Sequence, residues 1–150
     1  MVVLINGTPS QFFKTHQGLR EGCALSPLLF ILVMEALSRG IKNKADAGAI
    51  VGCKLARGCN ITHLMFVDNV LCTREAKLFV WVSFHKIFGD FNKASGLIIN
   101  QEKIALISDS ADSSVMNKVA DMFGIKIILM SRGFKYLGCR LKPNKYSISD

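Results

Sequence analysis

A chain of 150 residues, half of them hydrophobic, fits one domain with its own core and is too apolar for a disordered tail. Its 19 Lys and Arg against 11 Asp and Glu leave a net charge of +8, which favours anionic partners, nucleic acid above all, over the plain alternative of a merely basic soluble protein. The five cysteines, Cys23, Cys53, Cys59, Cys72 and Cys139, form no C-x-x-C pair, so the pattern argues against a disulfide framework or zinc site and for thiols in a reducing compartment.

Residues 2–5 read as a strand, and Asn6-Gly7 as a turn, because both residue types tolerate positive φ. Residues 11–14 are the expected returning strand. No signal peptide opens the chain, and the longest apolar run, 28–34, stops at Glu35, far short of a bilayer span. The expectation is an intracellular protein, nuclear or cytoplasmic, without a membrane. Residues 17–22 form a loop with two glycines. Ser26-Pro27 starts a helix, with Ser26 as N-cap and Pro27 at the first helical position, running to about Arg39 with Gly40 near its end. Apolar residues nearly all round 28–34 predict a central buried helix.

Residues 45–58 are small and glycine-rich, a loop with a short strand at 50–55. Strands follow at 61–67 and 70–73, with Asp68-Asn69 as a two-residue hairpin loop. Residues 76–94 carry Val80, Phe84, Ile87, Phe88 and Phe91 at helical spacing, and Gly96 is a natural stop. Trp81 and this phenylalanine stripe read as core and not as a base-stacking platform. Residues 97–100 and 104–108 are extended around Gln101-Glu102-Lys103. A second amphipathic helix at 112–123 sets Met116, Val119, Ala120 and Phe123 on one face, ending at Gly124. Strands at 125–130 and 136–141 close the chain. His63 reads as a strand residue and His85 as a helix-surface residue; neither has metal-ligand spacing. The fold class is α+β, with antiparallel β-hairpins packed on helices.

Four segments in order carry a resemblance. Gly18-Leu19-Arg20-Glu21-Gly22-Cys23-Ala24-Leu25-Ser26-Pro27, running into an apolar helix, resembles motif B of LINE-type (non-LTR) retrotransposon reverse transcriptases, especially those of plant genomes. Thr62-His63-Leu64-Met65-Phe66-Val67-Asp68-Asn69 is similar to motif C, whose usual form ends in F-A-D-D. The stretch from Ser95 to Lys103 resembles motif D, and Phe134-Lys135-Tyr136-Leu137-Gly138 the primer-grip hairpin of motif E. The resemblance covers nearly the whole chain. It implies a partial polymerase palm over residues 1–150, truncated at both ends, in a family of RNA-directed DNA polymerases (nucleotidyltransferases) that use an RNA template, a DNA primer and Mg²⁺.

Nucleotidyl transfer needs two divalent ions about 4 Å apart, held by hard oxygen ligands. By resemblance Asp68 is the metal ligand; on the hairpin alone, Asp-Asn is simply a good turn dipeptide. Asn69 replaces the family's second Asp and removes a full charge from the site. No acidic residue precedes Glu21, so the motif A aspartate is expected to be missing. Glu21, Cys23 and Ala24 stand where the family has Gln, Asp and Pro. Arg20, Glu21 and Gly22 would lie on the template and nucleotide side, with Gly22 letting backbone approach closely. Arg20 alone reads equally well as a solvated surface residue. Lys103 could protonate the leaving pyrophosphate or be an ordinary surface lysine. Phe134, Lys135, Tyr136, Leu137 and Gly138 would form the primer grip, or a plain hairpin with Tyr136 in the core. The expectation is weak or absent Mg²⁺ binding and no unaided polymerisation. The rival readings are a non-catalytic basic nucleic-acid-binding remnant and an inert pseudogene product.

Overall fold

A computed structural model describes residues 2–14, 22–54, 58–73, 77–109 and 114–143. The first strands, β1 (Leu4–Ile5) and β2 (Thr8–Pro9), pair antiparallel through Leu4↔Pro9 and Ile5↔Thr8. Asn6 (φ 52) and Gly7 (φ 81) are both left-handed, the type I′ pattern that matches strand twist. The return strand therefore starts immediately after the turn, and residues 11–14, expected as the partner, form no strand. Pro9 has no N–H to donate, and Ser10 supplies the next rung: its N–H donates to the Val3 carbonyl (2.8 Å) and its Oγ accepts from the Val3 N–H (3.1 Å).

Helix α1 (Ser26–Asp46) differs from expectation at both ends and in burial. Leu25, not Ser26, is the N-cap; Ser26 lies inside the first turn, and its N–H donates to the Cys23 carbonyl at 3.1 Å. Pro27 does lie in the first turn. The helix passes through Gly40, whose hydrogens face α2: a Cβ there would lie 3.7 Å from Ile87 Cγ2. The fully buried Ile41, one residue on, anchors the continuation. Closure comes at Ala47 and at left-handed Gly48 (φ 73), whose N–H groups bond the Asn43 and Ala45 carbonyls. The N-terminal half is not central. Leu28 (58% exposed), Ile31 (62%) and Leu32 (65%) stand open, and only Leu37 and Ile41 are buried. An all-round apolar helix has no preferred face, so what decides burial is where a neighbour lies, and α2 covers only the second half.

Beyond a short hairpin, β3 (Cys53–Lys54) with β4 (Asn60–Ile61), come β5 (His63–Phe66) and β6 (Asn69–Cys72), antiparallel from His63↔Cys72 to Phe66↔Asn69. Helix α2 (Leu78–Ser95) bears out the predicted stripe: Val80, Phe84 and Ile87 are buried, Phe88 and Phe91 pack beside them, and left-handed Gly96 (φ 71) ends it. Residue 76, its expected start, lies outside the described residues, as do 112 and 113 of the next helix and 55–57 of the glycine-rich stretch.

The C-terminal third departs from an all-antiparallel arrangement. Strand β7 (Ala105–Ser108), helix α3 (Ser114–Phe123) and strand β8 (Lys126–Leu129) make a βαβ unit whose two strands are parallel, Ala105↔Lys126 to Ser108↔Leu129. The intervening helix makes the difference: a strand that returns through a helix arrives pointing the same way. A 3₁₀ turn at Met130–Arg132 leads into the hairpin β9 (Phe134–Tyr136) and β10 (Cys139–Leu141). The predicted strand at 136–141 is thus folded back on itself at Leu137-Gly138 (φ 51 and 82), a second type I′ turn.

Two apolar clusters hold these parts. Leu37, Ile41, Ile50, Val80, Phe84 and Ile87 join α1 to α2, with Met65, Val70 and Cys72 of the β5–β6 hairpin packed against them. Leu106, Met116 and Val119 form the second, with Trp81 against them. Phe123 packs on both clusters and meets the Trp81 ring edge-on at 6.1 Å and the exposed His85 ring at 5.2 Å. Among the described residues no helix is long and apolar enough to cross a membrane.

Candidate active site

The β5–β6 hairpin pushes one carboxylate to the end of two short strands. Phe66 pairs with Asn69, so the two loop residues are Val67 and Asp68, one position earlier than the Asp68-Asn69 loop read from the sequence. Val67 takes φ 54 and Asp68 is not left-handed, the type II′ pattern. A β-branched residue in that region is an outlier costing about 1–2 kcal/mol. Asp68 and Asn69 are both exposed, and Asn69 Nδ2 donates to Asp68 Oδ1 at 3.3 Å. Among the described residues, no group of three or more His, Cys, Asp or Glu is gathered to hold a metal ion. The donor set at the tip is one carboxylate and one amide.

The hairpin's inner face is apolar, with Met65, Val70 and Cys72 packed on the first cluster. Its root is polar. Ser38 Oγ on α1 lies 2.9 Å from His63 Nε2, and Thr62 Oγ1 lies 2.9 Å from His63 Nδ1. Thr73 ties the strand ends, its N–H donating to the Thr62 carbonyl (3.0 Å) and its hydroxyl to the Ile61 carbonyl. Burial disfavours the imidazolium and holds the His63 pKa below its ordinary value.

The other expected site residues are spread over separate elements. Arg20 and Glu21 lie outside the described residues. Gly22 is exposed, with φ 74 and open space around it, so its backbone requires glycine at this entry to α1. The Cys23 thiol beside it accepts from the Leu25 N–H, which lowers its pKa against a smaller opposing effect of burial; Ser26 adds to the lowering. Lys103 is exposed on the turn after Asn100, whose carbonyl accepts from the Lys103 N–H (3.1 Å) and whose Oδ1 accepts from Glu102 (3.0 Å). Phe134 and Tyr136 are half-buried, while Lys135, Leu137 and Gly138 are exposed. Of these residues, only Asp68 and Asn69 share a described hydrogen bond.

Some features were not foreseen. Val67 as a loop residue has no sequence signal, since its type argues against that backbone. The His63–Ser38 bond joins residues 25 apart in sequence, beyond any local pattern. At the last hairpin, Arg140 stands directly across from Lys135, and Arg140 Nη2 donates to the Arg132 carbonyl at 2.9 Å. Lys135 and Arg140 line a shallow cleft of about 200 Å³ with Gly133, Phe134 and Gly138.

Short hairpins on packed helices, one presenting an acid at its tip, make a mixed α+β protein with the elements a nucleic-acid polymerase uses. Residues 1–141 match the family described as reverse transcriptase (RNA-dependent DNA polymerase), and the chain belongs to that family. It is 35% identical over 75 residues to an uncharacterized mitochondrial protein of Arabidopsis thaliana, covering 49% of this chain and 62% of that one. It is 25% identical over 159 aligned positions to the retrovirus-related Pol polyprotein from type-1 retrotransposable element R2 of Popillia japonica, covering 98% of this chain and 25% of that one. The chain thus spans less than two thirds of either relative's length.

Proposed function

We propose that these 150 residues are palm-type sequence from the reverse transcriptase of a LINE-type, plant-like retroelement, catalytically incompetent by themselves. The retrotransposable-element name of one relative and the plant source of the other support the element type. On this reading Asp68 is the surviving metal ligand, Arg20, Glu21 and Gly22 lie on the template and nucleotide side, Lys103 serves the leaving group, and Phe134 to Gly138 face the primer. The observation that carries the reading is the hairpin tip. A lone carboxylate whose only described side-chain neighbour is a neutral amide donor cannot hold two divalent ions, which need shared anionic oxygens to offset their mutual repulsion. Primer extension on an RNA template, with Mg²⁺ and then Mn²⁺, tests this. No incorporation is expected; incorporation abolished by Asp68→Ala would overturn the claim of incompetence.

A second reading, a non-catalytic nucleic-acid-binding protein, is favoured by one observation. Lys135 and Arg140 are directly opposed like charges, unfavourable unless an anion lies between them, and the net charge of +8 points the same way. Each phosphate neutralised should add about −0.9 to the slope of log affinity against log salt on duplex DNA. Weak binding that ignores salt would reject it.

A further inference from the structure

At the root of the hairpin whose tip carries Asp68, His63 sits between two hydroxyls, on Ser38 of α1 and on Thr62. All three residues are half-buried. The hairpin's other described attachment to the helices is apolar contact through Met65, Val70 and Cys72, which resists separation but allows sliding. A directed hydrogen bond resists rotation as well. At ~3.4 Å per residue β5 rises ~10 Å from His63 to Phe66 and the two-residue turn adds ~3 Å, so a pivot of about 5° at the root moves Asp68 by ~1 Å. Displacements of that size cost roughly a hundredfold where reacting groups must meet.

We propose that His63 is a positioning residue: its imidazole, bridging Ser38 and Thr62, sets the angle at which the β5–β6 hairpin presents Asp68 relative to α1. The inference rests on the preceding reading only in taking Asp68 as the functional tip. A neutral ring has one N–H to donate and one nitrogen to accept, so one hydroxyl gives and the other receives. A protonated ring donates from both nitrogens, and one of the two bonds must reverse. The bridge is therefore sensitive to the charge on the ring. On α1, Glu35 and Arg39 flank Ser38 in sequence; they are exposed and bonded to each other at 2.8 Å, with Lys42 a turn further on. From β6 the Cys72 thiol stands opposite, and the residues α2 presents to this cluster, Val80, Phe84 and Ile87 with Phe88 and Phe91 beside them, carry no charge. No described carboxylate hydrogen-bonds the ring to hold a proton there.

The test is NMR on the full chain, following the histidine ring nitrogens and the Asp68 and Asn69 amides through a pH titration. Expected is a step in both amides at the midpoint of the His63 ring, and loss of that step in His63→Gln. Ser38→Ala should displace both amide resonances at neutral pH, and Ser38→Thr, which keeps the hydroxyl, should return them to the parent positions. If Ser38→Ala lowers the melting temperature while Asp68 and Asn69 stay at their parent positions, the contact is merely structural and the proposal falls. It also falls if the His63 ring titrates with no step in either amide. Should Ser38→Ala fail to fold, the His63→Gln titration decides alone. None of these readouts needs nucleic acid or activity, so a failure of the polymerase reading would leave them unmoved.

Discussion

Replacing Asn69 by Asp puts a second acid at the hairpin tip and should change stability in a way that depends on divalent cation. The Asn69 amide nitrogen lies 3.3 Å from Asp68 Oδ1. A carboxylate oxygen at that separation converts an attractive contact into a repulsion of about 1 kcal/mol in a water-like dielectric, the value suited to an exposed tip. Losing the amide hydrogen bond adds about 0.5 kcal/mol or more. In EDTA, Asn69→Asp should therefore be less stable than the parent by about 1.5 kcal/mol, a fall of roughly 3–6 °C for a domain of this size. A divalent ion reverses the sign. The added charge attracts it with about twice the pair energy, ~2 kcal/mol, or roughly thirtyfold in affinity. Differential scanning fluorimetry with EDTA and with Mg²⁺ or Mn²⁺ reads the first effect, and isothermal titration calorimetry the second. Because the pair sits within a Debye length, moderate salt should weaken the effect without removing it. A variant that melts with the parent in EDTA, or that gains no cation affinity, would show that the two side chains do not converge at the tip.

Val67→Gly should be neutral or stabilising, by up to about 1.5 kcal/mol. It removes a left-handed cost of about 1–2 kcal/mol and adds about 0.5–1 for glycine flexibility, and the lost side chain is 64% exposed; a clear drop in melting temperature would refute the strain. Gly52→Ala should destabilise by about 1–3 kcal/mol, because a Cβ there runs into the Ile61 carbonyl, a backbone atom that cannot swing aside; an unchanged urea midpoint would contradict this. His63 binds its proton less readily folded than unfolded, so its contribution to stability is full above pH 6.5 and is lost as pH falls through the folded value. Urea unfolding from about pH 7.5 down to about pH 5 should show that decline in the parent and a shallower one in His63→Gln. Cys23, with its lowered pKa, should be alkylated by iodoacetamide at lower pH than the exposed Cys139, and mass spectrometry of the partially labelled chain would reveal the opposite order if the Leu25 contact is absent.

The parts of the fold legible in the sequence are those set by local periodicity and by glycine. The α2 stripe came true because Val80, Phe84 and Ile87 repeat at helical spacing and so bury on one face, and Gly96 and Gly124 stop their helices in left-handed conformations. The parts not legible depend on what lies across space. Ala105–Ser108 and Lys126–Leu129 look alike whether they pair parallel or antiparallel, and direction is decided only by how α3 returns the chain. The N-terminal half of α1 failed for the same reason: 28–34 is apolar enough to be buried from any side, yet the cluster shared with α2 buries Leu37 and Ile41 and leaves Leu28, Ile31 and Leu32 exposed.

At the site, the acid was legible and its setting was not. Asp-Asn is the dipeptide that turn chemistry would place in a two-residue loop, since both residues accept positive φ. The structure passes over that choice and bends the chain at Val67-Asp68. Register accounts for this. With Phe66 opposite Asn69, Met65 faces Val70 and His63 faces Cys72, so the half-buried side chains of both strands meet the α1–α2 cluster while His63 reaches Ser38. Side chains alternate between the two faces of a strand, so a slip by an even number of residues preserves which of them point inward. Moving the loop one residue toward the C-terminus would make such a slip: β6 would slide by two residues, opposing Met65 to Cys72 and His63 to position 74. The same side chains would point inward, but Val70 and Cys72 would each move two positions along β5, away from where they now pack on the α1–α2 cluster, so the strained valine, at about 1–2 kcal/mol, keeps that packing. On the proposal above, the angle of the carboxylate is set ~13 Å away, through the His63 contact with Ser38 on α1. A motif read along the chain can therefore place Asp68 in a turn but cannot say which way that turn faces.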